Sequence, residues 1–252
     1  MSLHFPDDSN ILPITKLYKL KIVQFKIAGV AENNSKFKTQ NSKLNMCSIE
    51  RHPFKPFLPE GCRLLMLGSF PPAEKRWSMH FYYPNFTNDM WRIFGLCFFA
   101  DKLHFVNVEN KTFRLDEIIE FLTAKGIGMY DTATAVRRLK NTAADKDLEV
   151  VEPTNLKAMV RSLPRLEGIV TTGQKATDVL RECFDIKDEP RVGEYVEFEF
   201  EGRMLRLWRM PSSSRAYPLK VEKKAEYYER VLAPLQYPHK APPPAPPPQG
   251  GE

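Results

Sequence analysis

The sequence predicts an α/β fold in which a mostly parallel sheet is covered by helices on both faces. Three observations carry that expectation. Short apolar runs without alternation, in "CRLLMLGSF", "IGMYDTA" and "LEGIVTTG", read as buried parallel strands. Amphipathic stretches of helical length, such as "NDMWRIFGLCFF" and "LDEIIEFLTAKG", lie between them. Small, Pro and hydroxyl residues gather where strands end, in "GSFPP", "YDTA", "TTGQK" and "MPSSSR". Folds of this class bind ligands at that edge.

The elements follow in order. "CRLLMLGSF" is a strand ending at Gly68. "NDMWRIFGLCFF" is a helix whose first turn Asn88 or Thr87 can cap, and "LDEIIEFLTAKG" is a second helix closed by Gly126. "IGMYDTA" is a strand, "NLKAMVRSL" a helix, and "LEGIVTTG" a strand running into the helix "QKATDVLREC". "GEYVEFEFEGRMLRLWRMP" reads as a hairpin turning at Glu201-Gly202, and "KVEKKAEYYERVLAPL" as the closing helix.

The globular pattern spans residues 46–236 of the 252. Residues 1–45 mix Lys with apolar residues at no clean period. They are either a segment ahead of a start at Met46 or a basic arm. Residues 237–252, with "APPPAPPPQGGE", form a low-complexity polyproline-like tail that cannot bury a core. The formal charge of +6 favours an anionic partner, nucleic acid before a membrane surface. No apolar run approaches the roughly 20 residues that span a bilayer, and the N-terminus lacks a secretory pattern. Cys47, Cys62, Cys97 and Cys183 are scattered, with neither metal-ligand spacing nor a disulfide framework. Free thiols fit a cytoplasmic protein, and with DNA as partner a nucleoid-associated one.

The motif set "GSFPP", "FYYPNFTNDMW" and "MPSSSR", in that order, resembles the uracil-DNA glycosylase superfamily, closest to its mismatch-specific (G:T/U) and hypoxanthine branches. The resemblance covers about residues 49–235. It implies a three-layer α/β/α sandwich with a central, mostly parallel four-stranded sheet. It also implies a monofunctional enzyme, acting as a monomer without metal or organic cofactor, that cleaves the N-glycosidic bond of a deaminated or mismatched base in DNA. On this likeness Gly68, Ser69, Phe70 and Pro71 shape a base pocket. Pro211, Ser212, Ser213, Ser214 and Arg215 grip the DNA, with Arg215 filling the gap of the extruded base or binding a phosphate. As an ordinary turn, the same segment would leave Arg215 solvated.

The residues themselves support a pocket. Phe81, Tyr82 and Tyr83 offer ring faces, and stacking on an aromatic is worth about 1–3 kcal/mol per base. One ring, Phe81 or Tyr82, is expected to stack while at least one of the three is structural. Asn88 can read a base edge, position a water, or cap the helix that follows. Asn85, after Pro84, is a turn residue. Asp131 can accept from a base N–H, assist the attacking water, or pair with Arg137 or Arg138. Two groups common in the resembled superfamily are missing. Phe70 occupies the first-motif position of a water-orienting side chain, and Met210 precedes Pro211 with no His nearby. Those departures leave open a damage-binding protein on the same fold that does not hydrolyse. An unrelated α/β hydrolase would need a Gly-x-Ser-x-Gly elbow, which is absent.

Overall fold

The computed structural model of the protein describes residues 48–139 and 147–236. The expectations for residues 1–45 and 237–252 fall outside them. The described residues all belong to one compact unit, Leu44–Glu252.

The strands are β1 (Ile49–Arg51), β2 (Leu64–Gly68), β3 (Val106–Asn107), β4 (Thr112–Phe113), β5 (Ile127–Asp131), β6 (Ala133–Arg138), β7 (Leu148–Pro153), β8 (Gly168–Thr171), β9 (Glu194–Phe200) and β10 (Arg203–Arg209). The helices are α1 (Met90–Phe99), α2 (Leu115–Lys125), α3 (Leu156–Arg161), α4 (Gln174–Phe184) and α5 (Val221–Gln236), besides a short 3-10 turn at Glu74–Arg76. The main sheet has the order β5-β2-β8-β10-β9. The first four strands are parallel, and β9 joins β10 antiparallel.

A four-stranded sheet was expected, so the sheet is one strand wider. The addition is the first arm of the hairpin, which turns at Glu201 and Gly202 with φ of 50° and 76°. Two such left-handed residues make the turn that matches strand twist.

Every residue of β2, β5 and β8 is buried, as their unbroken apolar runs require. Chain order places β5 on one side of β2 and β8 on the other. Right-handed crossovers then put α1 and α2 on one face, α3 and α4 on the opposite face. Helix α5 packs on α1, and α3 on α4, which completes three layers. Helix α1 buries Met90, Trp91, Ile93 and Phe94. Each contributes about 1.5–3 kcal/mol of burial.

A second, antiparallel sheet of order β1-β6-β7 was not expected from sequence. It extends directly from Asp131 through Thr132 into β6. The segment after β1 then runs along the edge of β5. His52 N–H donates to Thr134 O at 2.8 Å, and Phe57 exchanges backbone bonds of 3.0 and 2.8 Å with Met129.

Candidate functional site

Four strands end in one row. Gly68 lies opposite Asp131, Leu67 opposite Thr171, and Thr171 opposite Arg209. The order of strand addition reverses between the parallel strands β2 and β8, because β2 leads to β5 on one side while β8 leads to β10 on the other. A cleft of about 690 Å³ opens above this switch point. Every site residue expected from sequence lines it except Phe81 and Pro211.

Asp131 closes the end of β5. Its Oδ2 lies 2.9 Å from His52 Nε2, and its backbone carbonyl accepts from Thr154 Oγ1 at 2.8 Å. Neither Arg137 nor Arg138 is its partner: they pair with Glu149 and Glu50. Gly68 is required beside it, since a Cβ there would meet Asp131 Oδ1 at 2.3 Å. The glycine of "GSFPP" therefore makes room for a carboxylate.

The aromatic loop divides its rings. Phe81 is buried edge-on against Phe57 and Tyr82, with centroids 5.4 and 5.1 Å away, so it fills the core. Tyr82 donates its hydroxyl to Lys55 O at 2.7 Å, and its carbonyl accepts from Trp91 Nε1 at 3.2 Å. Tyr83 adopts a left-handed φ of 51°, uncommon for a bulky residue. That twist brings its hydroxyl 3.2 Å from Thr172 Oγ1 at the end of β8. Burial pushes both phenols well above their ordinary range, and the charge on Asp131 adds to it. Both therefore stay neutral, and it is Tyr83 that offers its phenol to the cleft, since the Tyr82 hydroxyl is spent on Lys55 O. Phe70 packs its ring on Ala133, Val136 and Leu148 of the second sheet while lining the cleft.

Asn85 and Asn88 take separate tasks. Asn85 Oδ1 accepts from the Thr87 backbone and hydroxyl, each at 2.9 Å, as a turn residue does. Asn88 Oδ1 accepts from Met90 N–H at 2.9 Å, so its carboxamide steadies the start of α1. What Asn88 has left to offer the cleft is its Nδ2 donor.

The Pro-Ser loop is fastened from below. Pro211 is buried, and its carbonyl accepts from Tyr228 Oη at 2.9 Å. Ser213 O accepts from Asp89 N–H at 2.9 Å, and Ser214 O from Lys224 Nζ at 2.7 Å. The same ammonium lies 2.8 Å from Asp89 Oδ2. Arg215 stands 3.5 Å from the other Asp89 oxygen with 62% of its side chain exposed. Burial and the nearby positive Arg215 lower the affinity of Arg92 for its proton. A positive, hydroxyl-rich lip results, suited to phosphate.

His52, Asp89, Thr172 and Lys224 went unnoticed in the sequence. A signal existed for Lys224: it occupies the helical stripe of Val221, Ala225, Tyr228 and Leu232, where an apolar residue belongs. His52 is a lone His in "ERHPFKP" and carries no such signal. Among the described residues, no group of three or more His, Cys, Asp or Glu is placed to hold a metal. No described helix is long and apolar enough to cross a membrane.

No family model matches the sequence, and no curated protein matches it. Among solved structures the chain is similar to the solution NMR structure of a "putative Uracil DNA glycosylase" from Methanosarcina acetivorans. The two are 23% identical, with 75% of this chain and 100% of that chain covered and a TM-score of 0.51. At that identity the likeness is one of fold.

Proposed function

We propose that the protein is a monofunctional DNA glycosylase that removes a deaminated base (uracil, including a G:U mismatch, or hypoxanthine) turned out of the duplex. It acts as a monomer on nucleoid DNA in the cytoplasm. One observation carries the reading: Asp131, Asn88 and the Ser212–Ser214 loop converge on one cleft at the switch point of the sheet. The structural likeness to the Methanosarcina protein supports the same class at a coarse level.

In this reading the base lies against Phe70 and Tyr83, the rings with partly exposed surface in the cleft. The bond from C1′ to the base nitrogen breaks, and its electron pair leaves on the base. Oxocarbenium character builds on the sugar, as in other glycoside hydrolyses. A water adds to C1′ and gives up a proton, for which the Asp131 carboxylate is the acceptor. The Asn88 Nδ2 group orients that water or holds the base edge, and a backbone N–H of Ser69 or Phe70 serves the departing anion.

The test uses labelled duplexes carrying uracil, hypoxanthine, xanthine or thymine opposite each base. Abasic sites are then opened with alkali. A product from one duplex names the substrate. The rival reading is a damage-binding protein that does not hydrolyse. It is favoured by Phe70, whose ring occupies the expected position of a water-orienting group. Binding to lesions without product on any of them supports that rival and sinks the glycosylase.

A further inference from the structure

His52 is nowhere near the cleft in sequence, yet its ring is fixed against the Asp131 carboxylate. The two side chains are 2% and 10% exposed. Four rings surround the imidazole: Tyr130, Phe70, Phe54 and Tyr82, with centroids 4.6, 5.3, 5.9 and 6.2 Å away. Backbone bonds from His52 to Thr134 and between Phe57 and Met129 pin the segment on either side. The imidazole is thus held from all sides, and its orientation is set by the fold.

The placement of its protons follows from the neighbours. Nδ1 lies 3.1 Å from Phe54 N and 2.8 Å from Phe54 O. When the Phe54 N–H donates to Nδ1, the ring proton sits on Nε2. When both nitrogens are protonated, Nδ1 donates to Phe54 O and Nε2 still donates to Asp131. In both of these states a proton on Nε2 faces Asp131 Oδ2. A neutral ring protonated only on Nδ1 would set the Nε2 lone pair against the carboxylate and is disfavoured. The other carboxylate oxygen, Oδ1, then lies over Gly68, the only residue type that leaves it room.

We propose that His52 is a positioning residue: its Nε2–H holds Asp131 Oδ2 so that Oδ1 faces the cleft in the geometry the reaction needs. This rests on the glycosylase reading above. The same linkage explains why a glycine closes β2 opposite Asp131, since the ring and the glycine together leave the carboxylate one orientation.

The test compares His52→Phe, which fills the aromatic surroundings without a donor, with His52→Gln, whose amide can donate to the same oxygen. Asp131→Ala and the His52→Phe/Asp131→Ala double variant complete the set, with thermal melts confirming that each folds. Single-turnover base release should slow roughly tenfold or more in His52→Phe while duplex affinity stays within about twofold. His52→Gln should recover most of that loss, and the double variant should be no slower than Asp131→Ala. Nitrogen-15 spectra of the wild-type ring should place a proton on Nε2, and Asp131→Ala should shift that signal. Wild-type release rates in His52→Phe, independent losses in the double variant, or a neutral ring protonated only on Nδ1 would overturn the proposal. If the wild-type protein releases no base, the glycosylase reading fails, and the ring spectra still decide whether His52 holds Asp131.

Discussion

Lys224 Nζ lies 2.8 Å from Asp89 Oδ2, and both side chains are buried. The ammonium also reaches Ser214 O at 2.7 Å, so one cation joins α5, the start of α1 and the Pro-Ser loop. Removing one member of such a pair leaves an uncompensated charge in the interior, at a cost of about 3–5 kcal/mol. Lys224→Met should therefore lower the thermal midpoint by roughly 10 °C. Lys224→Met/Asp89→Leu should recover much of that stability but not the grip on DNA. A melt of Lys224→Met within about 2 °C of wild type would show the pair to be energetically idle.

Asn88 serves both helix and cleft, and two substitutions separate the roles. Asn88→Ala should cost about 1 kcal/mol of stability through the lost bond to Met90 N–H, and at least roughly tenfold in base release. Asn88→Asp keeps the acceptor for Met90 and removes the Nδ2 donor. It should melt like wild type yet lose activity as Asn88→Ala does. Full activity in Asn88→Asp would return this residue to helix capping alone.

Gly68→Ala brings a methyl group onto Asp131 Oδ1. Overpacking of this kind costs about 1–3 kcal/mol and displaces the carboxylate. Release should fall at least roughly tenfold. The stability loss should largely vanish in an Asp131→Ala background, where the obstructing oxygen is gone. Equal losses in both backgrounds would mean that the methyl group strikes something else.

Arg215 should act on DNA through charge. Arg215→Ala is expected to weaken binding to damaged and undamaged duplexes alike and to reduce the salt slope by about one unit. Titrations at several salt concentrations measure this directly. Loss confined to the damaged duplex would instead place the guanidinium in the gap left by the base.

Alkali should destabilise the fold through Cys62. Burial raises its thiol from 9.0 to about 11, ahead of the lowering effect of bonds to Gly128 and Leu64. The folded state keeps the proton that the unfolded chain gives up. Stability is therefore complete below pH 9 and is lost as pH rises toward 11, by about 2–3 kcal/mol from this group. Urea midpoints across that range should decline less steeply in Cys62→Ala.

The alternation of β2, α1, α2, β5, β8 and α4 was legible because a strand buried on both faces must be continuously apolar and a packed helix must carry a stripe. Asn88 and Asp131 were legible for a related reason: both are polar residues where a regular element begins or ends. The β1-β6-β7 sheet was not. Its strands are half-exposed, and Ile49 pairs with Arg137 across a long stretch of chain, so no local period announces the match. Nor could three consecutive aromatics declare which ring turns inward. The left-handed backbone at Tyr83 breaks any period from which Phe81 could be assigned to the core and Tyr83 to the strand ends, where the fold puts them. His52 was beyond reach because its meaning lies in a contact with Asp131 that only the folded chain creates.

The order in which the chain is synthesised bears on the clasp at Asp89. A nascent polypeptide that has just passed residue 218 already carries every loop of the cleft, but the ammonium that fastens Asp89 to the Pro-Ser loop lies on α5, the next helix to emerge. Until Lys224 leaves the ribosome and docks, Asp89 has no buried counter-charge and Ser214 no tether. Competence to hold nucleic acid should accordingly appear late and abruptly during translation, and a chain stopped before that helix should be unable to capture DNA through its serines.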